Sequence, residues 1–230
     1  MNIFDTDFHC HILPGIDDGA ANVDESIKLI NMQLSQGVRN IVATPHFRKH
    51  QMSINTFLER RNQAYKTLIS AGAFKKVSRV LLAAEIALER NLCELDGIER
   101  LGNSKMNTLL LELPYDGYRK WMCEEIEEIA YTTKMQIIIA HLDRYTDIYT
   151  QEDYNDIFSI PDVIFQFNTS AFTRRKDKKL LKTAIKDDYP LVFGTDCHNP
   201  QSRRPDFDVM LKNLKHYEQN YFVNKLFEPQ

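Results

Sequence analysis

The chain has 230 residues, 43% of them hydrophobic and 27% charged, which suits one sizeable core and excludes wholesale disorder. Lysine and arginine number 29 against 32 acidic residues, and a formal charge of −3 argues against a general nucleic-acid binder. No apolar run approaches the roughly 18 residues needed to cross a bilayer, so no membrane insertion is expected. The opening Met1-Asn-Ile-Phe-Asp-Thr-Asp7 lacks the basic and apolar regions of a secretory signal, and a cytoplasmic location is the expectation.

Residues 3–8 read as a first strand ending at His9. A helix follows in which Val23, Ile27, Ile30 and Leu34 repeat at helical spacing, with Asn22 and Glu25 as a capping-box start. The strand 40–43 leads into Thr44-Pro45-His46, and a second helix covers 54–72. Strand 80–82 precedes Ala83-Ala84-Glu85, and strand 109–111 precedes Glu112. A helix over 120–133, with Met122, Ile126 and Ile129 on one face, leads to strand 137–139 and then Ala140-His141. Strand 163–167 ends at Asn168, a helix covers 174–188, and strand 191–193 runs into Gly194-Thr195-Asp196. Phe207, Met210, Leu211, Leu214, Tyr217 and Tyr221 mark the last helix.

Strands this apolar fit a parallel sheet covered on both faces. About seven βα units in one domain, residues 1–230, suggest an α/β barrel, closed or nearly so, slightly short of the roughly 250 residues typical of eight units. A doubly wound open sheet is the alternative. Cys10, Cys93, Cys123 and Cys197 show no C-x-x-C pair and read as reduced, buried packing residues. Strand alternation turns Cys10 and Cys197 away from the side that their neighbours face.

Nearly every predicted strand ends in a residue type that binds metals. His9 and His11 are two apart on a strand, so both rings can reach one ion. Asp17 and Asp18 lie on the next loop; His46, Glu85, Glu112 and His141 end the second to fifth strands; Asp196 and His198 repeat the i, i+2 spacing. Parallel α/β folds gather ligand and catalytic groups at these strand ends. A single histidine there is ordinarily a hydrogen-bonded structural residue, and a single glutamate an exposed loop residue. Nine such groups (His9, His11, Asp18, His46, Glu85, Glu112, His141, Asp196, His198) converging on one end imply metal. Imidazole and carboxylate without thiolate suit manganese, iron, zinc or cobalt, and nine ligands call for two or three ions. Clustered ions generate hydroxide and clamp the oxygens of an in-line displacement, which is hydrolytic chemistry, above all on phosphoesters. His50 and His216 receive no role.

The set Asp7-Phe-His9-Cys-His11, Thr44-Pro45-His46, Ala84-Glu85, Leu111-Glu112, Ala140-His141 and Asp196-Cys-His198 resembles the polymerase-and-histidinol-phosphatase (PHP) superfamily. More narrowly, His11-Ile-Leu-Pro-Gly-Ile-Asp-Asp18-Gly19, His141-Leu-Asp-Arg144-Tyr145 and Asp196-Cys-His198-Asn199 are similar to bacterial tyrosine-protein phosphatases of the CpsB/CapC type. The resemblance implies a distorted, TIM-like (β/α)7 barrel of PHP fold with a trinuclear centre, usually of manganese or iron. It implies that His9, His11, Glu85 and Asp196 hold the first ion and that Glu85 bridges to the second, completed by Glu112 and His141. Asp18, His46 and His198 would hold the third. A metal-bridging hydroxide would attack phosphorus while Arg144 and Arg203 bind the phosphate, with Arg204 as the alternative to Arg203. The implied partner is a phosphotyrosine protein, the tyrosine-rich tail of a membrane-associated autokinase that controls capsule or exopolysaccharide export. A phenolate leaving group, with a pKa near 10, needs less acid help than an alkoxide, and no general acid is identified.

The rival readings keep or replace this site. A small-molecule phosphatase of histidinol-phosphate type and a nuclease-like phosphodiesterase would use the same ligands, the second disfavoured by the charge balance. A non-catalytic metal-binding regulator would keep the barrel without turnover. Cys197 to Arg203 also satisfies C-x5-R, the signature of cysteine-dependent phosphatases, but Pro200 donates no N–H and the loop has no glycine to cradle phosphate. Asp18, Glu85, Glu112 and Asp196 carry four negative charges, so three divalent ions would leave the mouth positive and suited to a phosphate dianion.

Overall fold

Short parallel strands alternate with helices so that each strand delivers its last residues to one end of a distorted barrel. The computed structural model describes residues 4–214. β1 (Thr6–Cys10) is buried along its whole length and is followed by α1 (Val23–Ser35). β2 (Asn40–Ala43) is separated by Thr44-Pro45 from the two-residue β3 (His46–Phe47), because Pro45 cannot donate to a ladder. α2 (Ile54–Ser70) leads to β4 (Arg79–Leu82), and a second break at Ala83-Ala84 precedes β5 (Glu85–Ala87). Arg61 of α2 donates to the Ala83 carbonyl at 3.0 Å, tying the helix to that break.

A single 3-10 turn, Ile98–Leu101, stands where a helix would before β6 (Thr108–Glu112). α3 (Trp121–Thr133), β7 (Gln136–Ile139) and α4 (Gln151–Phe158) follow. β8 (Ile164–Asn168), α5 (Arg175–Lys186), β9 (Leu191–Gly194) and α6 (Phe207–Leu214) complete the described chain. No helix among the described residues is long and apolar enough to cross a membrane.

Every pairing is parallel: β1-β2-β4 form one sheet and β3-β5-β6-β7-β8-β9 the other. Since β3 continues β2 and β5 continues β4, these nine segments make the seven strands of a (β/α)7 barrel. The seam closes just past β9, where Asp196 N–H donates to His9 O at 2.8 Å and His11 N–H to Cys197 O at 2.9 Å. Asp7 reinforces it by accepting from the Thr195 N–H and hydroxyl, at 2.8 and 2.5 Å, and from the Gln33 amide at 2.8 Å. Burial pushes the Asp7 carboxyl up to about 6, against the bonds from Thr195.

The observed strands fall on the predicted apolar runs, with three departures. β3 and β5 were not expected as separate strands, and α4 was not expected at all. The capping box of α1 is displaced: Asn22 accepts from Glu25 N–H at 3.0 Å, but the Glu25 carboxylate accepts from Ala21 rather than Asn22. The cysteine expectation holds for Cys10 and Cys197, which are fully buried, and needs correcting for Cys93 and Cys123, which are half-buried. Those two sit at the periphery, beside Glu125 and the Tyr118 hydroxyl, rather than between sheet and helix. Residue 3 of the first strand, and His216, Tyr217 and Tyr221 of the last helix, lie outside the described residues.

Gly194 sets how closely the seam can close. A Cβ there would stand 2.4 Å from the Cβ of His9 and 2.9 Å from its nitrogen, so one strand must shift. Gly194→Ala is expected to cost about 1–3 kcal/mol, read as a lower urea midpoint at unchanged m-value.

Candidate metal centre

The extended backbone of β1 points the His9 and His11 rings to one side and Cys10 to the other, and the turn after β9 does the same with Asp196, Cys197 and His198. His141 and Asp196 sit at φ of +29° and +48°, a region costly for residues with a Cβ. Both are pinned there by backbone bonds, His141 N–H to Gln166 Oε1 at 2.6 Å and Asp196 N–H to His9 O at 2.8 Å.

Glu85 lies at the centre with no exposure. His9 Nε2, His11 Nε2 and His46 Nδ1 stand 3.1, 3.1 and 3.0 Å from its Oε2, and His141 Nε2 stands 2.7 Å from its Oε1. His9 Nε2 and His11 Nε2 are 3.1 Å apart, and Asp196 Oδ1 is 3.6 and 3.4 Å from them. An ion with bonds of about 2.1 Å has ligand-to-ligand edges of about 3.0–3.4 Å, so these four groups match a coordination polyhedron. A second group joins His11, Asp18, His46 and His198, and a third joins His46, Glu85 and Glu112. His141 Nε2 lies 3.6 Å from Glu112 Oε1. All nine residues singled out in the sequence thus meet at one mouth, with His46 closer to Glu112 and His11 closer to Asp18 than the expected division among three ions provides.

The atoms left over fit metal. Glu85 Oε2 and His198 Nε2 are buried and have no hydrogen-bond partner, although ring nitrogens crowd the first at ion-pair distance. Unsatisfied buried donors and acceptors are rare in folded proteins, and a cation answers these two directly. Three rings are already oriented for it. His9 Nδ1–H donates to Gln166 Oε1 at 2.9 Å, His11 Nδ1–H to Asp17 Oδ2 at 2.7 Å, and His198 Nδ1–H to the Asp196 carbonyl at 2.9 Å. Each bond leaves Nε2 bearing its lone pair toward the cluster.

Sequence reasoning missed these orienting groups. Gln166 is a lone polar side chain in the run Ile164-Phe-Gln-Phe167, and that isolation was its signal. Asp17 was outshone by its neighbour Asp18; it is the one turned inward, also accepting from His46 N–H at 2.9 Å and Gly19 N–H at 2.9 Å. Burial opposes its ionisation, but His11 and these N–H groups hold its carboxyl well below the usual range. It adds a fifth carboxylate to the mouth. Burial likewise raises Asp143, to about 7, where it accepts from Asn168 N–H at 2.8 Å behind His141.

Both arginines reach the cluster. Arg144 donates to Asp196 Oδ2 at 2.5 Å and Glu112 Oε1 at 3.0 Å, and Arg203 to the two Asp196 oxygens at 3.2 and 3.1 Å. Arg204 is exposed and makes no hydrogen bond or ion pair with the cluster among the described residues, which favours Arg203 between the two. The cysteine-phosphatase alternative fails on geometry. Cys197 is fully buried, its thiol accepts from Gln33 at 3.4 Å, and the N–H groups of Gln201, Ser202 and Arg203 are spent on Asn199 Oδ1. Beside Glu112 opens a cleft of about 540 Å³ walled by Ala87, Leu88, Leu113, Pro114 and Tyr115, with Arg48 at its rim. Tyr115 is 63% exposed.

A family profile described as capsular polysaccharide synthesis, CpsB/CapC, matches residues 5–229. The tyrosine-protein phosphatase YwqE of Bacillus subtilis is 30% identical over 149 residues, 62% of this chain and only 56% of that protein's length. The tyrosine-protein phosphatase CpsB of Streptococcus agalactiae serotype III is 24% identical over 210 residues, 86% of this chain and 85% of that one. Among solved structures, one from the work on YwqE of Bacillus subtilis and CpsB of Streptococcus pneumoniae, described as unique metal-dependent tyrosine phosphatases, superimposes with a TM-score of 0.73. It shares 22% identity and the match covers 94% of this chain and 90% of that one. The histidinol phosphate phosphatase of Lactococcus lactis, solved with zinc, L-histidinol and phosphate, superimposes with a TM-score of 0.62 at 15% identity, covering 92% and 91%. At these identities the structural likeness speaks for the fold.

Gln166→Leu is expected to weaken divalent-metal binding about 10–100-fold while the barrel stays folded, as measured by chelator competition. Proton linkage gives a second expectation. Burial lowers the affinity of His141 for its proton, yet Glu112 and Glu85 outweigh it and raise the ring to about 9 from 6.5. After chelation this pair stabilises the fold fully below pH 6.5 and loses that contribution as pH rises through about 9. Metal must displace the same proton, so its affinity should climb with pH up to about 9, with proton release seen calorimetrically in buffers of different ionisation enthalpy.

Proposed function

Because this chain belongs to the CpsB/CapC capsular polysaccharide synthesis family, we propose that it is a metal-dependent protein-tyrosine phosphatase acting in the cytoplasm. The observation that carries this reading is the meeting of nine imidazole and carboxylate groups beside two arginines at one barrel mouth. His9, His11, Glu85 and Asp196 would hold one divalent ion, Glu85, Glu112 and His141 a second, and Asp18, His46 and His198 a third. The nitrogen and oxygen donors suit manganese, iron, zinc or cobalt alike, and the family resemblance is what favours manganese. Bound ions supply a nucleophilic hydroxide at neutral pH and neutralise charge on the phosphoryl group.

The chain's own residues do the remaining work. Arg144 and Arg203 both hold their guanidinium groups at Asp196 Oδ2, where they can bind phosphoryl oxygens and stabilise charge as it develops. Salt bridges to Asp196 and Glu112 preorganise them, so little side-chain entropy remains to be lost on binding. Asp17, Gln166 and the Asp196 carbonyl keep the histidine rings in their binding tautomers. The cleft beside Glu112 is also lined by Arg48, His50, Glu89 and Asp116, but its apolar wall has room for a phenol ring, which Tyr115 can stack upon, and this supports an aryl rather than an alkyl phosphate. The physiological substrate is taken to be the tyrosine-rich tail of a membrane-associated kinase that governs polysaccharide export.

Chelation should abolish hydrolysis of a phosphotyrosyl peptide, manganese should restore it, and Cys197→Ser should retain it; the opposite pair of results would overturn the metal reading. Arg144→Ala is expected to lower kcat about 10²–10³-fold. Tyr115→Ala should raise KM for the phosphotyrosyl peptide several-fold and leave histidinol phosphate unaffected. Faster turnover of histidinol phosphate than of phosphotyrosine by the unmodified enzyme would favour the small-molecule alternative.

A further inference from the structure

α5 and the residue before it, Arg174-Arg-Lys-Asp-Lys-Lys-Leu-Leu-Lys-Thr-Ala-Ile-Lys186, carry a charge distribution that the fold does not need. The apolar side chains Leu180, Leu181, Ala184 and Ile185 are buried, and so is the acidic one, Asp177, which accepts from Thr146. Arg174 and Lys176 pair with Asp147 at 2.5 and 2.7 Å. The other five cations, Arg175, Lys178, Lys179, Lys182 and Lys186, make no ion pair among the described residues and line a shallow groove of about 470 Å³.

This arrangement works against the helix. Arg175 and Lys179, Lys178 and Lys182, and Lys182 and Lys186 are like charges at i, i+4, which repel. Arg174 and Arg175 stand at the helix start, where the backbone dipole disfavours cations, and no side chain caps it. In a chain of net charge −3, an uncompensated basic stripe points to an anionic partner.

The stripe begins near the candidate centre. Asp147, which holds Arg174 and Lys176, follows Arg144 by three residues in the segment after β7. From there α5 runs down the barrel wall for about 18 Å, the length of five or six extended residues. Its flanks are acidic. α4, on the neighbouring βα crossover, exposes Glu152, and Asp187 and Asp188 are exposed at the far end of α5. A plane of anionic lipid would meet those carboxylates as well as the lysines, whereas a chain lying along one helix avoids them. Among the described residues the face also lacks an apolar anchor: the exposed large hydrophobic ones, Ile69, Tyr115 and Tyr131, all lie elsewhere.

We propose that the outward face of α5 is a docking surface for an acidic polypeptide, which holds the carboxylate-rich flank of the phosphotyrosyl substrate while the phosphate occupies the mouth. The substrate half of this statement rests on the phosphatase reading; the docking half does not. The test uses the manganese-loaded full chain and the variant Lys179→Glu, Lys182→Glu, Lys186→Glu, all at exposed positions outside the centre. Its probes are two phosphotyrosyl peptides, one flanked by glutamates and one by serines.

The variant is expected to raise KM for the glutamate-flanked peptide about tenfold at unchanged kcat, and to leave the serine-flanked peptide alone. High salt should erase the wild-type preference between the two peptides. An equal effect on both peptides, or none on either, would overturn the proposal. So would sedimentation of the wild type with phosphatidylglycerol vesicles together with no preference for glutamate flanks. If the wild type hydrolyses neither peptide, the phosphatase reading falls. Fluorescence anisotropy of an unphosphorylated glutamate-rich peptide, bound by the wild type and released by the variant, still decides the surface; equal binding to both would sink it.

Discussion

A buried carboxylate that four imidazoles approach is the constraint around which this barrel is arranged. Glu85 cannot keep its charge away from water unless His9, His11, His46 and His141, or cations in their place, stay beside it. Burial alone would raise its carboxyl; His9 and the other rings hold it well below the usual range. Those rings come from β1, β3 and the turn after β7, so the electrostatics of one side chain fix how three strands end. The break at Ala83-Ala84 and the kink at Thr44-Pro45 follow from this demand. Each stops a regular strand one step short and restarts it, so that Glu85 and His46 lead β5 and β3 into the mouth.

That demand also separates what was legible in the sequence from what was not. The long strands could be read because doubly covered parallel strands are continuous apolar runs, and the ligands because each ends such a run. β3 and β5, of two and three residues, are too short to carry a period and begin with the very groups that mark a site. α4 buries only Tyr154, Ile157 and Phe158 within Gln-Glu-Asp-Tyr-Asn-Asp-Ile-Phe, too few apolar positions to stand out. Its start was nonetheless written in Thr150 and Asp153, whose reciprocal capping bonds are both formed. Gln166 and Asp17 escaped for a different reason. An orienting residue is recognised by what it touches, and the partners of Gln166 lie far away in the chain.

The two arginines show how one acidic residue can serve two purposes. Asp196 takes Arg144 on Oδ2 and Arg203 on both oxygens, and the Oδ1 that Arg203 reaches also faces His9 and His11. Burial would raise its carboxyl, and His11 and its neighbours depress it well below the usual range. Anion-binding cations and cation-binding anions are thereby set side by side without either needing solvent to stabilise it.

Closure of the seam has a consequence for the order of events along the folding path. The bonds from Thr195 to Asp7 join residues 188 positions apart, and the first ligand group takes His9 and His11 from one side of that join, Asp196 from the other and Glu85 from β5 between them. Loop closure over so much chain is entropically slow. A growing polypeptide that has made β1 through β8 therefore still has no complete first group, since Asp196 has yet to arrive. Capture at the first group is thus confined to the finished barrel, whereas His46, Glu85, Glu112 and His141 all precede β8. An ion in the first group would act as a latch on a contact between residues 188 positions apart, slowing the reopening of β9 from β1.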